Sequence, residues 1–170
     1  TSVYAADTGS PAVVLKIDKR TMTIARVLKL APGENDVRSL VTDEDNVHDE
    51  HVYACTRTAP TTIVKIHMGS LHRVGSLTLP AGLNNVLSGT ELADGYIFVA
   101  TGSTPSTIVK IKASTMKVER TLTLSNNVGL ITSMVADAQW IACTTYTSPS
   151  WLLKISKDKL QTVSSVLLDG

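Results

Sequence analysis

Two histidines and two carboxylates crowd into four consecutive positions, His48-Asp49-Glu50-His51. Such a set offers the nitrogen and oxygen donors that Zn²⁺ or another divalent ion takes. A closed site also needs convergent geometry, and no cysteine or further histidine is placed to complete it. An exposed polar loop is the simpler account, with His48 and His51 as the candidate ligands and no resident cofactor expected. A second set stands out by contrast with its surroundings. Arg57, Tyr146 and Trp151 interrupt stretches of small polar residues, and an Arg with aromatics on a turn face is a common contact set. Nothing in the chain assembles a catalytic constellation: there is no Gly-x-Ser-x-Gly elbow and no Gly-x4-Gly-Lys-Ser/Thr phosphate loop.

The elements that must carry these residues follow from a repeated phrase. A polar turn ending in proline, then an apolar strand closing on Lys-Ile, occurs at Pro11 to Ile17, Pro60 to Ile66, Pro105 to Ile111 and Pro149 to Ile155. The lysines Lys16, Lys65, Lys110 and Lys154 recur at intervals of 49, 45 and 44 residues. Eight residues before each proline stand Val3, Val52, Ile97 and Ile141, each opening a short apolar strand. A third strand closes on Leu28-Lys29-Leu30 and its equivalents. A Gly/Asn-rich turn then leads to a fourth at Val37 to Val41, Val86 to Thr90 and Ile131 to Val135. No helical period competes. Four short antiparallel strands cannot bury both faces alone, so such units stack around an axis, and a mid-forties period with this content predicts an all-β β-propeller. The repeat units run approximately 1–46, 47–94, 95–138 and 139–170.

Composition bounds the partners. Sixteen Lys+Arg against fifteen Asp+Glu, with no long run of either sign, argues against a nucleic-acid or anionic-membrane surface. Hydrophobic residues make up 43% of the chain, in stretches too short for a spanning helix, and no signal peptide is visible. Cys55 and Cys143 fall on alternate faces two repeats apart, which predicts two unpaired, half-buried thiols. His67 and His72 read as surface positions. The recurring lysines read as stems that cover apolar surface between blades.

Val3-Tyr4-Ala5, Val14-Leu15-Lys16-Ile17-Asp18 and Thr21, with Val52-Tyr53-Ala54 and Ile97-Phe98-Val99, resemble the unit of YVTN / surface-layer propellers, within the wider PQQ-like and NHL-like group. The Gly-His…Trp-Asp pair of WD40 repeats, the Gly-Gly pairs of kelch and the Ala-x-Asp-x-x-Thr-Gly…Trp of quinone-dependent dehydrogenases are missing. The resemblance implies that the strand after the Gly/Asn turn lines a central channel. Fifteen strands then divide into three complete blades preceded by one lacking its inner strand. The expectation is a segment of a seven- or eight-bladed ring, completed by further blades of the same chain; completion by a neighbouring subunit is the alternative.

By strand parity the proline turns and the Gly/Asn turns emerge at one end. They form a crown of hydroxyls and amides suited to a glycan or a peptide backbone, although the same residues serve turn geometry. Asn35, Asp36, Asn84, Asn85, Asn126 and Asn127 belong to this crown, with Arg57, Tyr146 and Trp151 as its departures from the repeat. Propeller lactonases hold a metal with channel-facing Asp, Glu and Asn, which the resemblance carries onto Asp36, Asn85 and Asn127. Asp43, Asp45, Glu91, Asp94 and Asp137 gather near the inner-strand ends, where Asp43, Asp94 and Asp137 also suit a turn. The functional expectation is a non-catalytic module binding protein or glycan, extracellular or at a cell surface. A metal-dependent propeller hydrolase and a structural subunit of a large assembly or filament are the alternatives.

Overall fold

A computed structural model describes residues 2–42, 51–91, 95–126 and 128–168. His48, Asp49, Glu50, Asn127, Asp43, Asp45 and Asp94 lie outside the described residues. The Val/Ile/Thr-rich segments form strands throughout, and no helix occurs among the described residues. The first sheet comprises β1 (Ser2–Ala6), β2 (Val13–Asp18) and β3 (Ile24–Lys29). The second comprises β4 (Val37–Thr42), β5 (His51–Thr56), β6 (Thr62–His67) and β7 (His72–Thr78). The third is β8 (Val86–Glu91), β9 (Tyr96–Thr101), β10 (Thr107–Lys112) and β11 (Lys117–Thr123). The fourth is β12 (Ile131–Ala136), β13 (Trp140–Thr145), β14 (Trp151–Ser156) and β15 (Gln161–Leu167).

Each sheet is an antiparallel meander in chain order, so the strand after each Gly/Asn loop (β4, β8 or β12) opens a new sheet. These sheets are β-propeller blades. Their innermost strands are neighbours, with β8 packed against both β4 and β12. Ser88 Oγ donates to the Ile131 carbonyl at 3.1 Å across that approach. At Gly89 a Cβ would stand 2.8 Å from Val41 Cγ2, so the inner strands come together where this residue has no side chain.

Cross-strand partners share a face, and each blade presents two. Val14 of the first blade, with Tyr4 and Leu28 beside it, meets Val52, Val64 and Ile66 of the second. Tyr53 and Ile63 of the second meet Ile97, Val109 and Ile111 of the third. Phe98 and Ile108 of the third meet Ile141, Leu153 and Ile155 of the fourth. Outer strands carry little of this burial, and β15 is exposed along its whole length.

Every Lys-Ile step carries a feature that the repeat does not announce. Pairing with the outer strand shifts between Lys16 and Ile17, Lys65 and Ile66, Lys110 and Ile111, and Lys154 and Ile155. A bulge of this kind adds a residue on the partner strand and increases local twist. Further shifts fall at the start of each inner pair, between Val37 and Ser39, Val86 and Ser88, and Ile131 and Ser133.

Both cysteines are free, and they lie deeper than the half-buried positions expected, at 0% and 1% exposure. Burial pushes each thiol up to about 12. Phe98 is the fully buried ring of the third interface, so Phe98→Ala should destabilise the fold by about 3–5 kcal/mol. Urea unfolding followed by tryptophan fluorescence would measure it; a loss below about 1 kcal/mol would contradict this packing.

Candidate functional site

The proline turns and Gly/Asn loops do emerge at one end, and backbone hydrogen bonds stitch them into a single layer. Asp36, Asn85 and Leu130 donate their N–H groups to the carbonyls of Gly9, Thr58 and Ser103, at 3.1, 2.9 and 3.1 Å. Ala12, Thr61 and Ser106 donate back to Glu34, Leu83 and Val128 at 3.0, 3.3 and 3.1 Å. Asp36, Asn85 and Leu130 all hold left-handed backbone, with φ of 51°, 56° and 52°, which Asp and Asn tolerate better than Leu. The bonds preceding Pro11, Pro60, Pro105 and Pro149 are all cis.

Hydroxyls at two repeated positions of this end are engaged within the turns. Thr56, Thr101 and Thr145 Oγ1 accept the N–H groups of Thr62, Thr107 and Trp151 at 2.9, 2.8 and 2.9 Å. Thr58, Ser103 and Thr147 donate to the carbonyls of Pro60, Pro105 and Pro149 at 2.8, 2.8 and 2.9 Å. In the first blade Asp7 takes the place of the threonine, and its Oδ1 accepts from Val13 N at 2.7 Å and Gly9 N at 3.0 Å. Those two N–H groups, Val13 first, hold the Asp7 carboxyl below the usual carboxylate range.

Against this repeated layer the departures stand out. Arg57, Gly102 and Tyr146 hold one position on three successive blades. Each donates its N–H to the left-handed residue of the loop before it, at 2.8, 2.7 and 3.0 Å. Arg57 pairs with Asp36 Oδ2 at 4.0 Å, while Arg38 Nε holds Asp36 Oδ1 at 2.7 Å. Both guanidinium side chains remain largely exposed, at 48% and 42%. Tyr146 is 77% exposed. Between them, Gly102 cannot carry a side chain, since a Cβ there would lie 2.7 Å from the Asn85 carbonyl oxygen and 2.9 Å from Leu87 Cγ. The surface therefore offers a cationic patch, a bare step and an exposed phenol.

The other candidates fall elsewhere. Trp151 is half-buried and packs on the core between the third and fourth blades rather than joining Arg57 and Tyr146. Asn35, Asn84 and Asn85 are half-buried in the loops and Asn126 is exposed. Glu34, at a position held by Leu83 and Val128 in the next blades, is buried. It accepts from Ala31 N at 2.9 Å and pairs with Arg73 at 2.7 Å. Nothing in the spacing of the residues marks that link between blades. His51 is buried at the opposite end, in cross-strand register with His67, which is in register with His72. The rings line up at 6.1 and 5.4 Å, and Ser70 Oγ bonds Nδ1 of both His67 and His72. Only strand register reveals this row, because His67 and His72 are read as unrelated surface positions in the sequence. Among the described residues no three His, Cys, Asp or Glu side chains converge as metal ligands.

Two of the recurring lysines bridge blades. Lys16 Nζ donates to the Met68 and Gly69 carbonyls at 2.9 and 3.0 Å, and Lys65 Nζ to the Ala113 carbonyl at 3.3 Å. Where Lys157 occupies the equivalent turn position, Lys110 instead lies 4.1 Å over the Tyr96 ring and 3.8 Å from Glu119. Lys154 lies 4.3 Å over the Trp140 ring.

No family model and no curated protein matches the chain. Solved structures do match, and they share the fold. Hydrazine synthase of Kuenenia stuttgartiensis superposes with a TM-score of 0.76 at 12% identity, over 92% of this chain and 43% of that one. The WD40 repeats of RRP9 give 0.75 at 10% identity, over 99% and 48%. The β-propeller domain of Cps50 (Swd1) from Myceliophteria thermophila gives 0.72 at 12% identity, over 99% and 52%. The chain spans about half the length of these structures. It is a β-propeller repeat protein by fold.

Two predictions follow from this end of the blades. Gly102→Ala should cost about 1–3 kcal/mol, because the added methyl group meets the Asn85 carbonyl oxygen as well as the Leu87 side chain. A shift in thermal midpoint reads it, and an unchanged midpoint would contradict the close approach. Because the folded Asp7 carboxyl titrates below its unfolded value, its contribution is present at neutral pH and is lost as pH falls through and below about 4. Asp7→Asn should therefore flatten the acid limb of urea midpoint against pH; an unchanged slope would count against the turn carboxylate.

Proposed function

We propose that the chain is a rigid, non-catalytic interaction module that contacts a protein partner through its turn end, at a cell surface or in an extracellular assembly. The observation that carries this reading is the division of labour at that end. Repeated hydroxyls are engaged in their own turns, while Arg38, Arg57 and Tyr146 extend into solvent from fixed backbone. Guanidinium groups and a phenol on a preformed surface suit protein recognition, since their contact area is gained at small entropic cost. A glycan would draw more on hydroxyls, and those of the repeated Thr and Ser positions are already engaged. The YVTN-like strand pattern supports an extracellular or surface setting. Propellers in the solved structures include components of assemblies, such as the Mitotic Checkpoint Complex, and that company favours a protein partner. No specific observation favours the hydrolase: Asp36 is held by Arg38.

The test compares the native chain with Arg57→Glu and Tyr146→Ala as bait in extracts and surface fractions of the source cells. Both residues are exposed, so each variant should keep its stability within about 0.5 kcal/mol. A partner retained by the native chain should be lost from both variants. Equal retention by all three, or selective binding to a glycan array that neither substitution affects, would overturn the reading.

A further inference from the structure

The junction between the third and fourth blades differs from the other two in where it keeps its charge. Lys16 and Lys65 are half-buried, and each sends its ammonium across to a carbonyl of the next blade, that of Met68 or Ala113. The side chains at those two turn positions are apolar and buried. At the third junction the same turn position is Lys157, which is nonetheless 5% exposed. Lys110, the counterpart of Lys16 and Lys65, is 8% exposed, and among the described residues no carbonyl accepts from it. Two lysines are therefore buried where each of the other junctions holds one half-buried lysine.

Their donor capacity is not filled. An ammonium carries three N–H donors. Lys157 Nζ donates to the Asp137 carbonyl at 2.6 Å. Lys110 Nζ rests 4.1 Å over the Tyr96 ring and 3.8 Å from Glu119 Oε1, beyond hydrogen-bond distance. A buried cation is costly unless it is both paired and hydrogen-bonded. Glu119 supplies one negative charge from the outer strand, and its side chain is 37% exposed. Asp158 is also exposed, with Arg120 donating to its carbonyl at 3.5 Å. The cations thus lie inside and the carboxylates outside. Both lysines line one hollow of about 500 Å³, shared with Tyr96, Glu119 and Asp158. It opens at the end of the blades opposite the proline turns, and its walls are two consecutive blades of this chain.

We propose that this hollow binds a small molecule carrying an oxyanion, a carboxylate or a phosphate, whose oxygens accept from Lys110 and Lys157. The site goes beyond the protein contact at the turn end and shares no residue with it. The ligand class follows from the donors. Ammonium groups with unused N–H bonds, largely shielded from water, form charge-assisted hydrogen bonds with an anionic oxygen, and a shielded setting strengthens them. Lysine is a point charge without the planar fork of arginine, so both oxyanions satisfy it. The volume is that of a small-molecule site.

Amide NMR titrations with inorganic phosphate and with succinate, at constant ionic strength, test this. At least one should give saturable shifts confined to Lys110, Lys157 and the turns beside them; a response to one alone names the oxyanion. Lys110→Met and Lys157→Met should each weaken binding about 10-fold or more. The second places in the turn the residue that the second blade carries there, Met68, so the fold should accept it. Glu119→Gln should tighten binding about 2–5-fold by removing a competing carboxylate at a partly exposed site. Lys112→Met, an exposed lysine of the same strand, should leave binding unchanged. No saturable shift with either probe at tens of millimolar overturns the proposal. So does binding that survives both lysine variants, or that Lys112→Met weakens equally. Where a lysine variant fails to fold, Glu119→Gln decides, and unchanged affinity there counts against the site.

Discussion

A four-stranded meander of this composition has apolar side chains on both faces, and neither can be left in water without large cost. That constraint organises the molecule. It forces sheet onto sheet, with Tyr4, Tyr53 and Phe98 on one side and Val52, Ile97 and Ile141 on the other at each junction. It brings inner strands close enough that a Cβ at Gly89 would stand 2.8 Å from Val41 Cγ2.

Polar chemistry is subordinated to that stacking. The lysine of each Lys-Ile step stands opposite an aromatic or small residue on the same face. Its ammonium reaches across the junction to a backbone carbonyl, or rests on a ring. A bulge at the same step gives the strand the twist that the stack requires. At the turn end, Thr, Ser and Asp side chains satisfy backbone N–H groups that the strand pairing leaves unmet. A hydroxyl that closes a turn is not available to a ligand, which is why recognition falls to residues outside the repeat.

Departures from the repeat divide into two kinds only once the packing is known. Arg57 and Tyr146 sit on a backbone position that is itself part of the repeat, and their side chains are turned outward. Trp151 departs from the repeat just as visibly in the sequence, yet it fills a gap between two blades. Glu34 is a further departure, a carboxylate at an apolar position, and it became intelligible only with Arg73 of the next blade beside it.

Much of the fold was legible in the sequence. Period, proline turns and strand alternation determined the number and order of strands and the assignment of β4, β8 and β12 to new sheets, because these depend on local spacing alone. The site was less legible. The sequence could name Arg57, Tyr146, Asp36 and His51 as unusual, but not that Asp36 lies between two arginines or that His51 continues into His67 and His72. Neither could it show that both thiols are sealed. Those facts depend on cross-strand register and on which face each residue turns toward, and a one-residue bulge changes both. What the sequence determined is a blade and its repetition. What the tertiary structure decided is which faces the blades cover and which they leave open, because burial belongs to pairs of sheets and not to any one of them.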